Sequence, residues 1–332
     1  MVIWDELGQM IVSDMEQGLV LGLPDRDHNG VADEVITILS GLNKPHGLEM
    51  NCENGCRLFV AENHQVSMYD YTPQIMTAFN AKKLVNLPAG GRHEHRSLLF
   101  KRDSANQLFV SVPSTCNACY EPEERNASLL LIDIENRVFT GYASGLRDTS
   151  FLAYHPNTHQ LWGTEIGREF LPDDLPPNEI NIIKQGANYG WPQCFGNNQI
   201  DFDFLKRYQF DTHPCDEIQA QPNHINLLPY ANPMGLVFLP SYSNLPKEYQ
   251  DDLLVAYHGS WLQDDPVGFK VTRLELDRLG NYLVEKDFIT GWLRSDGTSI
   301  GRPVDIKFGP DGALYITDDE AGQIYRMIYT SN

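Results

Sequence analysis

The chain has 332 residues and a formal net charge of −20, with 25 Lys and Arg set against 45 Asp and Glu. That balance excludes a nucleic-acid partner, whose phosphates need a basic face, and no apolar run is long enough to span a bilayer. With 42% hydrophobic residues, 26 Gly, 20 Pro, 15 Tyr and 15 Phe, the composition suits a sizeable core built from many short strands joined by turns.

Read in order, one unit recurs: a short apolar strand, a turn rich in Asp, Asn and Gly, and a second strand ending in a small or acidic residue. The paired strands are 1–4 with 9–14, 47–50 with 57–62, 97–100 with 107–111, 151–154 with 160–165, 235–238 with 253–257, and 304–308 with 313–318. Four units continue into a third strand, at 18–21, 129–133, 270–275 and 323–327. A restated antiparallel sheet of this kind predicts an all-β, six-bladed β-propeller, closed into a ring that protects its sheet edges. No domain boundary is visible, so residues 1–332 read as one domain. The first unit lacks the lead-in residues of the others, and the first blade is expected to be incomplete at its N-terminal side. Between Thr164 and Pro192 the density of Pro and Gly predicts a long loop pinned at both ends, a favoured place for function.

Six cysteines fall into three local pairs: Cys52 with Cys56, Cys116 with Cys119, and Cys194 with Cys215. They read as loop staples formed in an oxidising compartment. Half a zinc site at Cys116 and Cys119 is the competing reading, but no second ligand pair accompanies it. The first residues carry no basic and apolar leader, so a periplasmic or extracellular protein would have lost its export signal or begin late here.

Asp25, Asp27, Asn29 and Asp33 place oxygens at alternate positions around Gly30, a spacing that wraps one hard cation, structural in role. A solvated acidic hairpin turn is the alternative. His93, in Gly90-Gly91-Arg92-His93-Glu94-His95-Arg96-Ser97, precedes an innermost strand, where a propeller opens its channel mouth; a His there can act as general base. His95 is its rival by alternation. His46, Arg147 and Arg302 hold the equivalent place in their own units, and His258 is delivered to the same rim. Basic groups converging from several blades make an anion site, unless each pairs with a carboxylate of this acidic chain.

The ordered set GGRHEHRS, STCNAC, GLRDTS, TEIGREFLPDDLPPNEIN, GANYGWPQC, HGSW and GRPVDIKFGPDG resembles the soluble pyrroloquinoline-quinone-dependent sugar dehydrogenases, especially their sorbosone and pyranose dehydrogenase-like branch. The resemblance covers nearly the whole chain. It implies a quinone lying over the channel mouth, clamped by arginines, with calcium against its oxygens. His93 then falls on the family's proton-accepting His and Arg96 on the Arg of the same pattern. Arg147 and Arg302 fall on cofactor-contacting arginines, and Gly167 and Arg168 on the residues whose carbonyls hold the catalytic calcium. The implied substrate is a small aldose-like sugar; the sequence does not identify the electron acceptor. Three features depart from the family pattern: Ile166 replaces Asn or Gln, Asp148 replaces Asn, and the family's upstream Arg lies before the point where this sequence begins. A calcium-dependent lactonase-like hydrolase and a non-catalytic sugar- or quinone-binding propeller are the alternatives.

Overall fold

The computed structural model describes residues 1–205, 211–261 and 263–330. Six antiparallel sheets follow one another along the chain as a six-bladed β-propeller. The first contains Val2–Trp4, Met10–Asp14, Leu19–Leu23 and Ile36–Leu39; the second Leu48–Asn51, Arg57–Glu62, Gln65–Thr72 and Thr77–Asn86. The third contains Leu98–Phe100, Gln107–Val112, Ser128–Asp133 and Val138–Ser144. The fourth holds Thr149–Tyr154, Leu161–Glu165, Asn178–Ile182 and, after an excursion, Ile225–Leu227. The fifth is Pro233–Phe238, Leu253–Tyr257, Lys270–Leu276 and Tyr282–Ile289; the sixth is Pro303–Phe308, Leu314–Asp318 and Gln323–Met327.

Two expectations change. The first sheet has four strands, and the three-stranded sheet is the sixth. The short first strand still pairs residue for residue with its neighbour (Val2 with Val12, Trp4 with Met10), so missing lead-in residues do not shorten the sheet. The loop after Thr164 is also shorter than predicted. Asn178–Ile182 re-enters the fourth sheet opposite Leu161–Glu165, leaving residues 166–177 as the loop proper.

Burial follows the strand's place in its sheet. Leu161–Glu165 and Leu253–Tyr257 are buried at every position, because adjoining sheets cover both faces; the second reads as a continuous apolar run, while the first buries Thr164 and Glu165 with its apolar residues. Outer strands such as Thr77–Asn86 are mostly exposed. Between the fourth and fifth sheets, fully buried Trp162 meets Phe238 and His224 edge-on, with ring centroids 5.3 and 4.7 Å apart.

Six hydrogen bonds join each sheet to the next around the ring. Ser13 Oγ donates to the His46 carbonyl (2.7 Å) and His46 Nδ1 to the Arg96 carbonyl (3.1 Å). Ser97 Oγ donates to the Ser150 carbonyl, and Thr164 Oγ1 to that of Met234 (2.8 Å). Arg302 Nη1 donates to the Gly259 carbonyl (3.1 Å), and Val2 N to Asp305 Oδ2 (2.8 Å), which closes the ring. The sheets meet so closely that a Cβ on Gly47 would lie 2.5 Å from the Arg96 carbonyl oxygen, and one on Gly235 2.7 Å from Ile306 N. Asp305 is 1% exposed and its second oxygen accepts Ile306 N at 2.9 Å. Asp305→Ala therefore strands two buried amides, and is expected to lower the unfolding free energy by about 2–4 kcal/mol in denaturant titration.

Candidate active site

The loop from Gly90 to Ser97 arrives at the ring's inner edge through Arg96, which is 1% exposed. Its guanidinium donates to the carbonyls of His95 (2.7 Å), Pro88 (2.9 Å) and His93 (3.1 Å). Arg96 thus shapes the loop from inside and holds the two histidines up. His93 Nδ1 lies 2.8 Å from the Ser114 carbonyl. A carbonyl only accepts, so Nδ1 carries the proton and Nε2 is the basic nitrogen. Burial pushes the His93 imidazole down to about 4, against the opposing pull of Asp148, so it is neutral at neutral pH.

Asp148 stands between the two imidazoles. Its Oδ1 is 2.7 Å from His95 Nε2 and its Oδ2 is 3.7 Å from His93 Nε2. Burial alone would raise this carboxyl, but His95, His93 and Arg147 hold it well below the usual carboxylate range. The position that departs from the family pattern is therefore the anionic centre of the cluster. His46 is 5% exposed and its ring lies 5.3 Å from that of His95. Its Nδ1 is engaged by the Arg96 carbonyl, and its buried Nε2 has no partner among the described residues. Burial keeps His46 neutral well below its ordinary range.

The loop after Glu165 is pinned on several sides. Gly167 N donates to Asn178 Oδ1 (2.9 Å), and Arg168 forms ion pairs with Asp201 (2.8 Å) and Asp203 (2.9 Å). Among the described residues neither the Gly167 nor the Arg168 carbonyl accepts a hydrogen bond. Glu169 binds the Arg92 guanidinium and accepts from Trp261 Nε1 (3.0 Å), so segments from three sheets meet over the mouth. Arg147, 3% exposed, donates to the Asn117 carbonyl (3.0 Å), Asn117 Oδ1 (3.1 Å) and the Ile166 carbonyl (3.0 Å). A guanidinium has five N–H groups, so two remain beyond these bonds.

The remaining candidates lie apart. His258 Nε2 pairs with Asp319 (3.0 Å), and Arg302 binds Glu320 (3.0 Å) while its guanidinium sits 4.7 Å above the Phe269 ring. His46, His95 and Asp319 nevertheless line a single cavity of about 1210 Å³, together with Met1, Met234 and Val304; His93, on the other oxygen of Asp148, does not line it. In the acidic loop, Asp25 accepts the amides of Asn29 (3.0 Å) and Gly30 (2.8 Å), and Asn29 Oδ1 accepts that of Val31 (2.7 Å). Asp27 accepts the Asn29 amide at 3.2 Å, and Asp33 the Arg26 amide at 2.8 Å. Asp25, Asp27 and Asp33 do not bring three carboxylate oxygens within 4.8 Å of one another. These carboxylates keep lone pairs beyond the loop amides they accept. All three expected cysteine pairs are disulfides, which removes the zinc reading of Cys116 and Cys119.

The TrAA12-like family profile matches residues 1–330. The chain belongs to that family. An uncharacterized protein of Borreliella burgdorferi is 30% identical over 314 residues, covering 89% of this chain and 78% of that protein. The pyrroloquinoline quinone-dependent sugar dehydrogenase of Hypocrea jecorina is 25% identical over 228 residues, 58% of this chain and 52% of the relative. Among solved structures, the calcium structure of the Trichoderma reesei AA12 enzyme superposes with a TM-score of 0.80 at 20% identity, over 97% of this chain and 90% of that one. The holo pyranose dehydrogenase quinone domain of Coprinopsis cinerea gives 0.79 at 19% identity, over 97% and 90%. At these identities the structural likeness speaks for the six-bladed fold.

Sequence reading misses four participants: Asn117, Glu169 and the buried pair Glu165 and Glu179. The last two are direct cross-strand partners. Alternation in the strands 161–165 and 178–182 places them on one face, but only burial marks them as unusual. Burial raises Glu165 to about 8 and Glu179 to about 7. Glu179 accepts from Gly196 N (2.6 Å) and Asn181 Nδ2 (3.0 Å), while Asn181 Oδ1 has no partner among the described residues. In Glu179→Gln, rotation of the Asn181 amide would satisfy the new N–H₂. A carboxyl raised in the fold binds more protons native than unfolded, so it loses stability as pH rises from about 4.5 through 7. Glu179→Gln is expected to match wild type at pH 4.5 and exceed it by up to about 3 kcal/mol at pH 8, read from denaturant unfolding at both pH values.

Proposed function

We propose that this chain is an exported quinoprotein sugar oxidoreductase that oxidises the anomeric carbon of aldose-like sugars with pyrroloquinoline quinone and calcium. Membership of the TrAA12-like family and the named quinone-dependent relatives support the class of chemistry. The observation that carries the reading is the state of His93: neutral, its Nδ1 fixed by the Ser114 carbonyl, its basic Nε2 turned toward a buried anion. Three disulfides agree with export to an oxidising compartment, and no helix among the described residues is long and apolar enough to cross a membrane.

The residues present fit the two groups. The Gly167 and Arg168 carbonyls, without hydrogen-bond donors of their own among the described residues, are hard oxygen ligands of the kind calcium takes. Arg147 has N–H groups left for an anionic cofactor, and His46 offers a buried, unpartnered Nε2 beside His95. When bound, the quinone and its calcium supply the two-electron acceptor. His93 takes the proton of the anomeric hydroxyl at Nε2, the Ser114 carbonyl orients the ring through Nδ1, and Asp148 beside Nε2 stabilises the imidazolium that results. Arg96 contributes through the loop it fills rather than by touching a ligand, and Arg302 and His258 support the rim beside Asp319. A structural calcium at Asp25, Asp27, Asn29 and Asp33 belongs to the same reading, on oxygens that also accept the loop amides.

One observation favours a second reading, a sugar- or quinone-binding propeller without turnover. Arg96, Arg147 and Arg302 all donate to protein carbonyls, which leaves few free cations for a polycarboxylate. Quinone uptake with calcium and no dye reduction by any sugar would select it. For the enzyme, His93→Ala is expected to cost about 10²–10⁴-fold in turnover while quinone absorbance still titrates in. Equal loss of both would remove the base assignment. The basic form of His93 persists down to about pH 4, so the acid limb of kcat/KM is expected near pH 4, with activity falling as pH drops through it.

A further inference from the structure

The two-residue turn between Cys116 and Cys119 is tied to Arg147, to Trp191 and to the loop after Glu165. Asn117 makes five of these bonds. Its carbonyl accepts from Arg147 Nε (3.0 Å) and Trp191 Nε1 (3.3 Å). Its Oδ1 accepts from Arg147 Nη2 (3.1 Å) and from the Glu169 amide (2.8 Å), and its Nδ2 donates to the Glu169 carbonyl (2.9 Å). One side chain thus joins the buried arginine of the third-to-fourth sheet connection to the loop whose Gly167 and Arg168 carbonyls would hold the proposed calcium. Just before it, the Ser114 carbonyl fixes His93 Nδ1 and the Ser114 amide donates to the Arg147 carbonyl (2.7 Å).

The turn itself has little else to hold it. It lies outside any strand, and Asn117 is half-buried. Thr115 is anchored twice by Glu121 (2.7 and 2.8 Å), and Ser114 Oγ donates to the Cys116 carbonyl (2.9 Å). The Thr115 carbonyl accepts from Arg92 N (2.8 Å), and the Cys116–Cys119 disulfide adds a covalent constraint. A short covalent ring restricts the backbone on both sides of Asn117, so its carbonyl and side chain can face different partners without an ordering cost at each encounter.

We propose that Asn117 is a positioning residue that sets Arg147 and the loop 166–169 together, and that the Cys116–Cys119 disulfide keeps it in that geometry. The proposal rests on the oxidoreductase reading for its purpose and on these contacts for its substance. Neither cysteine touches the cofactor or the substrate in this scheme. Each acts through Asn117, as outer partners of ligands do at metal sites.

The test compares wild type with Asn117→Ala, Asn117→Asp, the double variant Cys116→Ser/Cys119→Ser, and the control Cys52→Ser/Cys56→Ser in the second sheet. Amide hydrogen exchange is followed in the cofactor-free chain at Ile166 and Gly167. Their acceptors, the Asp148 carbonyl (3.1 Å) and Asn178 Oδ1 (2.9 Å), are untouched by the substitutions. Quinone uptake with calcium is titrated separately by absorbance. Exchange at Ile166 and Gly167 is expected to quicken about tenfold or more in Asn117→Ala and in the Cys116/Cys119 variant, and quinone affinity to weaken about 10–100-fold. Asn117→Asp, which keeps both acceptors and loses only the Nδ2 donor, should fall between. The control should match wild type. Unchanged exchange at the two amides, or exchange that quickens evenly over all six sheets with a lowered Tm, overturns the proposal. Wild type that takes up no quinone removes the oxidoreductase reading, while the exchange data still decide the clamp.

Discussion

The ring depends on a small number of polar contacts at its narrow inner edge. Apolar packing between sheets is non-directional, and by itself would let one sheet slide against the next. The six cross-sheet bonds, from Ser13 with His46 round to Asp305 with Val2, set the angular register of each innermost strand against its neighbour. Three of them are buried and three part-buried, and an unmade buried partner is costly, so losing one weakens the closure of the ring. Gly47 and Gly235 show how tight that edge is, since any Cβ there would strike the adjoining backbone.

The same edge explains why the site lies where it does. A residue just before an innermost strand must either bridge to the next sheet or face the opening. His46 does both, with Nδ1 on the Arg96 carbonyl and Nε2 left over. Arg96 bridges only through its carbonyl, which accepts from His46; its guanidinium donates to carbonyls of its own connection, and its buried Nε has no partner among the described residues. Asp148 bridges back to the preceding sheet, presenting one buried oxygen to each of two imidazoles from the third sheet's lead-in. Scaffold and candidate site are alternatives open to the same positions, decided by which donors and acceptors come within reach.

Much of the fold was legible because strand pairs, turns and cysteine spacing are local signals. The six pairs and the three disulfides needed no long-range information. The closure defect was misplaced because a short first strand looks weak in isolation, whereas its pairing with Met10–Asp14 is a property of the folded sheet. At the site, sequence could bring His46, His93, His95 and Arg147 to one end of the ring, since their place in the repeat does that. It could not tell that Arg96 turns inward, because Arg96 and Arg147 sit at similar register positions and differ only in the carbonyls around them. Asn117 carried no signal of its own. Between two cysteines it reads as a turn residue, and its partners come from positions 147, 169 and 191.

A chain with a net charge of −20 that is read as binding an anionic cofactor poses an electrostatic problem, and the structure shows how its cations are arranged around it. Arg92 and Arg168 are paired with carboxylates, Arg96 is held by carbonyls, and Arg147 is desolvated between Asn117 and the Ile166 carbonyl. A guanidinium bound to carbonyl dipoles keeps its full charge, whereas one paired with a carboxylate is locally neutralised. Arg147 therefore keeps its charge at the mouth, with Asp148, Glu169 and Glu165 as the acidic groups around it. Asp148 in turn is divided between two imidazoles, so its negative charge is drawn toward His95 and away from the guanidinium. Replacement of a neutral Asn by Asp at this position thus does not simply add repulsion toward an anion. It supplies a counter-charge for whichever of His93 and His95 gains a proton, and that function requires a buried carboxylate held well below its ordinary range by the groups around it.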